Sequence, residues 1–175
     1  MRQHHLIAAI LILMLCLPAC SMLQSDDPAS LAFVIPAGST LVITETVPID
    51  HNNTHASIQF GKFISDRGRQ DYEVNCRIDF RDFGPREIEP ETYRISRSED
   101  GNHWISQPAI MRYYTEVYLE SDKDTDIIKM VCQQYGSQTD NHFTVADMQA
   151  TLGDIARFAY PASSPAAEPD ATTIR

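Results

Sequence analysis

Hydrophobic and polar residues alternate along most of this chain with the two-residue period of half-buried strands. The clearest case is YEVNCRIDF, residues 72–80. Tyr72, Val74, Cys76, Ile78 and Phe80 fall on one face, and Glu73, Asn75, Arg77 and Asp79 on the other. LAFVI (31–35) runs to the turn Pro36-Ala37-Gly38, and STLVITETV (39–47) follows. In ASIQFGKFI (56–64), Ile58 and Phe60 are in phase and Gly61 marks a bulge. ETYRISRS (91–98) and NHWIS (102–106) flank Asp100-Gly101, a dipeptide that favours a two-residue hairpin turn. AIMRYYTEVYLES (109–121) places Met111, Tyr113, Val117 and Leu119 on one face and Tyr114 and Tyr118 on the other. In DIIKMVCQQY (126–135), Ile128, Met130 and Cys132 are in register. Short strands punctuated by turns predict a mainly β fold, an antiparallel β-sandwich or partly open barrel.

One segment changes period. In HFTVADMQATLGDIARF (142–158), Val145, Met148, Leu152, Ile155 and Phe158 recur at helical spacing. Thr144 fits the N-cap, with Asp147 three residues on completing a near capping box. The spacing predicts one C-terminal α-helix over about 145–158, closing a globular domain of residues 31–160. The tail 161–175, rich in Pro, Ala and Ser, lacks the apolar residues to bury a core and is expected to be disordered.

The N-terminus is of another kind. Leu6 to Leu17 is an unbroken apolar run of 12 residues behind Arg2. As a helix it would be about 18 Å long against a hydrocarbon layer of about 30 Å, the length of a secretory h-region rather than a span. Leu17-Pro18-Ala19-Cys20 follows. These four residues, behind such a run, resemble the lipobox of bacterial lipoproteins. The resemblance implies that residues 1–19 are a signal peptide and that Cys20 becomes the lipid-modified first residue of the mature chain. It implies no cofactor beyond that covalent lipid. In such lipoproteins an Asp after the Cys marks inner-membrane retention, and this chain has Ser21. The implied address is the outer membrane, lipid-anchored and facing the periplasm, with residues 20–30 as a tether. Ordinary signal-peptidase cleavage fits less well, because Leu17 stands where a small residue is wanted.

Of four cysteines, Cys16 falls within the signal and Cys20 takes the lipid, leaving Cys76 and Cys132. Both sit on the apolar side of a predicted strand, and an exported compartment permits disulfides. One structural bridge is expected, contributing about 4 kcal/mol in the chain-entropy model. A net charge of −10 without a basic run excludes a nucleic-acid partner on electrostatic grounds.

Candidate chemistry is sparse. Asp122, Asp124 and Asp126 have the spacing of the first calcium-loop ligands, but Ile127 and Gln133 stand where such a loop wants Gly and Glu. His51 and His55 are weak metal candidates beside Asp50. No GxSxG, HExxH or phosphate-cradling loop occurs, so no catalytic residue is assigned. Tyr114, Tyr118 and Trp104 are the best candidates for a binding surface, since aromatic side chains serve interfaces well. The expectation is therefore a non-enzymatic interaction or accessory module of the cell envelope. Its partners would be the membrane, through the anchor, and envelope proteins or peptidoglycan. A periplasmic small-ligand or metal-binding lipoprotein is the second reading, and a hydrolase the third.

Overall fold

The computed structural model describes residues 25–106, 109–123 and 125–161. The signal peptide, Cys20, Asp124 and nearly all of the C-terminal tail lie outside the described residues. The strands are β1 (Thr40–Ile43), β2 (Val47–Ile49), β3 (His55–Gln59), β4 (Lys62–Ile64), β5 (Asn75–Phe80), β6 (Arg86–Ile88), β7 (Glu91–Ser106), β8 (Ile110–Glu120), β9 (Ile127–Gly136) and β10 (Ala156–Ala159). A helix, α1 (Val145–Leu152), lies between β9 and β10. Eight strands form one sheet in the order β10-β1-β7-β8-β9-β5-β3-β4, curled into a half-barrel, while β2 and β6 pair separately. All of these pairings are antiparallel. The mainly β, partly open form with one C-terminal helix is the predicted class.

The predicted alternation sorts side chains onto a core face and an outer face. Leu41, Ile58, Ile78, Tyr93, Val117, Met130 and Cys132 are buried on the core face, where Met148 and Leu152 of α1 pack into the same cluster. Each such aliphatic or methionine burial stabilises the fold by about 1.5–3 kcal/mol relative to exposure. Cys76 lies opposite Cys132 in the β5–β9 ladder and is bonded to it, with Cα atoms 4.0 Å apart. The expected bridge thus joins neighbouring strands on the core face.

Several local expectations are corrected. The helix expected over about 145–158 ends at Leu152 because Gly153 turns the chain with φ 59° and ψ −131°, angles that side-chain-bearing residues avoid. The next residues return as β10 beside β1. The apolar stripe is still buried, since Ile155 and Phe158 reach the core from extended chain. The expected capping box is present: Thr144 Oγ1 accepts from the Asp147 N–H at 3.2 Å, and Asp147 Oδ2 accepts from the Thr144 N–H at 2.8 Å. Another first-turn donor, the Ala146 N–H, bonds the Pro28 carbonyl at 3.0 Å, so part of the expected tether touches the domain.

Asp100-Gly101 makes no hairpin turn; β7 runs straight through it. Phe60 and Gly61, expected in a strand and a bulge, are instead the two-residue turn between β3 and β4, with φ of 55° and 69°. Positive φ at both positions is the geometry that matches strand twist, and it leaves the Phe60 ring exposed. Ile127, rather than Ile128, faces the core, because the β5–β9 register skips a residue between Lys129 and Ile127. LAFVI forms no named strand; Phe33 makes an isolated bridge to Ser25, and Leu31 and Val34 face solvent.

Candidate functional site

β7 and β8 form an arm longer than the rest of the sheet. β1 accompanies β7 only through Glu91–Arg94, after which the Ile95 N–H bonds the Ser39 carbonyl at 3.0 Å. Beyond that point β7 is paired with β8 alone among the described residues. Register shifts between Ile95 and Arg97 and between Trp104 and Ser106 bracket a regular stretch, Arg97–Trp104. Bulges bend a strand locally and re-aim its side chains. From Arg97 to Trp104 the outer edge of β7 is therefore unpaired among the described residues, a row of backbone groups able to pair with another strand.

Cross-strand pairs fix the side chains of this arm. On the outer face, Gly101 lies opposite Tyr114, and the tyrosine ring covers the glycine so closely that a Cβ there would meet the ring tip. The Arg112 guanidinium lies over that ring at 4.9 Å from its centre, and His103 lies 5.6 Å away. The Arg97 guanidinium sits 3.8 Å over the centre of the Tyr118 ring, with Lys129 at 5.4 Å. Each such cation–aromatic contact contributes roughly 0.5–1 kcal/mol at exposed sites. Glu116 ties the group together, accepting from the Tyr118 hydroxyl and the Lys129 ammonium, each at 2.6 Å. Burial pushes the Glu116 carboxyl up, but the Lys129 and Tyr118 hydrogen bonds outweigh it and hold the group below its ordinary value. On the core face, Thr115 Oγ1 donates to Asp100 Oδ1 at 2.7 Å.

The three predicted surface aromatics do not form one strip. Tyr114 and Tyr118 share the outer face, where their rings are half-buried under cations. Trp104 lies opposite Met111 on the core face, past the end of the packed core, and is 51% exposed. Ile105 beside it is also exposed. Sequence reasoning missed Ile105 and two further exposed aromatics, Phe60 and Tyr72, at the same end of the sheet. The Phe60-Gly61 dipeptide, with one residue free to adopt positive φ, was the available signal for a tight turn.

The remaining candidates serve elsewhere. His55 Nε2 lies 2.9 Å from Asp66 Oδ2, and Ser57 Oγ donates to Asp66 Oδ1 at 3.0 Å, beside a cavity of about 200 Å³. Here the carboxylate stands between serine and histidine. The hydroxyl proton is directed at Asp66 and not at the imidazole, so this trio lacks the nucleophile–base contact of a triad. Burial pushes Asp66 up, and His55 and Ser57 together bring it below its ordinary value. His51 is exposed and makes a backbone bridge to Gly84. Asp126 is held by Arg86 through Nη1 at 2.9 Å and Nη2 at 2.6 Å, and Asp122 is exposed in the same loop. Among the described residues, no group of three or more His, Cys, Asp or Glu side chains converges as metal ligands. No helix among the described residues is long and apolar enough to cross a membrane.

A second cavity, of about 260 Å³, lies on the core side of the arm between Asp100, Thr115, His142 and the start of α1. His142 places Nδ1 2.9 Å from the Phe143 carbonyl and Nε2 3.1 Å from the Tyr114 carbonyl, which ties the loop before α1 to β8. No family model matches the chain, and neither the curated proteins nor the solved structures contain a match to it.

Proposed function

We propose that this chain is a lipid-anchored protein of the bacterial cell envelope, held in the outer membrane facing the periplasm, and that it acts as a non-enzymatic interaction module. The observation that carries the second half is the open edge of β7 beside exposed Trp104 and Ile105. A partner strand laid along such an edge gains main-chain hydrogen bonds, and alternate side chains set its specificity. The lipobox-like run at Cys20 carries the first half. A lipid-modified cysteine bearing two or more acyl chains would hold the domain stably at the membrane.

Two experiments test this reading. Cys20→Ala should release the protein from the membrane fraction and abolish incorporation of labelled palmitate; unchanged fractionation and labelling would refute the anchor. A photo-crosslinking amino acid in place of Trp104, in cells, should capture a discrete protein adduct that the same probe at Asp154, on the far side of α1, does not. Equal labelling from both positions would refute docking at the arm.

A further inference from the structure

We propose that the open edge of β7 pairs with the same edge of a second copy of this chain, antiparallel and centred on Gly101, joining two half-barrels into one continuous sheet. The inference rests on the docking role of the arm and names the occupant.

The sheet closes its other edges. On β10, the Gln149 side chain imitates a neighbouring strand. Its Nε2 donates to the Ala156 carbonyl at 2.9 Å and its Oε1 accepts from the Phe158 N–H at 2.9 Å. β4, at the opposite edge, is 3 residues long. Short strands and covering side chains are the usual protections against unwanted pairing, as are Pro and Lys placed on the edge itself. The stretch Arg97–Trp104, RSEDGNHW, contains neither Pro nor Lys; its protections are the bulges that flank it and Asp100 on the core face, and between the bulges its register is regular.

The pattern of charge then selects the occupant. If two sheets continue into one another with their core faces on the same side, opposed residues must share a face. With Gly101 opposite its own copy, the acidic Glu99 meets His103 on the outer face. Asp100 meets Asn102 on the core face, and Ser98 meets Trp104. These three pairs are compatible, and each occurs twice by symmetry; Arg97 would fall opposite Ile105, at the bulge where the regular pairing ends. Centring on Asp100 instead sets Arg97 against His103, while centring on Asn102 sets Asp100 against Trp104. Size agrees with charge, since the small Ser98 leaves room for the indole that is 51% exposed in the single chain. At the symmetry axis the two glycines leave the outer face bare of side chain, and the Tyr114 rings already lie over them. Two chains anchored in one membrane would also meet at raised effective concentration.

Residues directly opposed in an antiparallel pair have Cα atoms about 4.5–5.5 Å apart, within reach of a disulfide; Cys76 and Cys132 are joined from opposed positions within this same sheet. The test uses full-length Asp100→Cys and Asn102→Cys chains, each alone and co-expressed, in membranes treated with copper phenanthroline. Crosslinked dimer should form in the co-expressed sample and fall at least tenfold in either single variant. Adding Glu99→Lys to both chains should weaken crosslinking about tenfold or more, and Glu99→Lys with His103→Glu should restore it. Equal crosslinking by the single variants, none in the mixture, or no recovery by the charge swap would overturn the pairing. If these chains do not crosslink while the photoprobe at Trp104 captures a different envelope protein, the self-pairing fails and the docking role stands. If neither captures anything, both fall.

Discussion

Asp126 offers the sharpest test of how the domain holds itself together at the end remote from the arm tip. Its carboxylate accepts two hydrogen bonds from Arg86, and Oδ2 also accepts the backbone N–H groups of Arg81 at 3.1 Å and Asp82 at 2.7 Å. The two side chains are 26% and 17% exposed, so the pair is largely withdrawn from water. Breaking a buried pair costs about 3–5 kcal/mol, and an exposed one contributes about 0–1. Asp126→Asn keeps the shape, removes the charge and strands Arg86, and should cost an intermediate ~2–3 kcal/mol in urea unfolding at pH 7. Burial pushes the Asp126 carboxyl up, but Arg86 and the backbone donors together hold it below its ordinary 3.8. A carboxyl depressed in the folded state contributes stability that is fully present above its unfolded value and is lost as pH falls through its folded value. The gap between wild type and variant should therefore be widest near neutrality and shrink below about pH 4. A cost under about 0.5 kcal/mol, or a gap that stays flat from pH 7 to pH 3, would refute the reasoning. Because Arg86 occupies this carboxylate, added calcium should leave the wild-type midpoint unchanged. A calcium-dependent rise absent from the variant would reinstate Asp126 as a ligand.

Other substitutions separate backbone geometry, capping, crosslinking and surface. Gly153→Ala should cost about 2–4 kcal/mol by urea unfolding, because φ is 59° and a Cβ would lie 2.7 Å from the Gly61 Cα; a loss under about 1 kcal/mol would show that the two turns are not held together. Thr144→Ala removes one arm of the capping box and should cost about 1 kcal/mol by the same assay, with Thr144→Ser recovering most of it. Replacing Cys76 and Cys132 together by Ala should lower stability by about 3–4 kcal/mol, and adding reductant to that variant should have no further effect. Trp104→Ala should change stability by no more than about 0.5 kcal/mol, because the indole is 51% exposed beyond the core, yet weaken capture by a photoprobe placed at the neighbouring exposed Ile105.

The alternation of YEVNCRIDF and AIMRYYTEVYLES assigned most of the buried face, since Cys76, Ile78, Phe80, Met111, Val117 and Leu119 are all buried, but Tyr72, before the strand begins, is exposed and Asn75, expected on the outer face, is buried. Such patterns are legible because burial on a pleated surface has a fixed period. The local errors share one cause, that turn chemistry competes with tertiary pairing. Asp100-Gly101 favours a turn in isolation, but Tyr114 supplies from the neighbouring strand the cover that the glycine lacks. Helical spacing from Val145 to Phe158 overran Gly153 because a stripe of apolar residues reports burial, not backbone form. Of the candidate site, the aromatic residues were legible and their arrangement was not. Bulges decide which face each side chain takes, and a bulge leaves no periodic trace until the partner strand is known.

The two ends of the sheet are built on opposite terms. At the end where β7 starts, buried Glu91 accepts hydroxyls from Ser121 at 2.5 Å and Thr125 at 2.7 Å, and Arg86 holds Asp126. Hydrogen bonds thus pin the loop before β9 from two sides. At the other end, β8 is paired on both flanks as far as Met111, whereas among the described residues β7 is held there by its ladder to β8 alone. A solvent-facing strand held on one side opens more readily than one held on both. Yet this strand carries two glycine- and arginine-centred aromatic contacts, at Tyr114 and Tyr118, that keep it extended without a core beneath it. Ordering the backbone in advance lowers the entropy cost that a docking strand would otherwise meet. The outer-face clamp and the open edge are then two parts of one device. Loosening the clamp by Tyr118→Ala should weaken capture at the arm even though Tyr118 lies on the opposite face from Trp104.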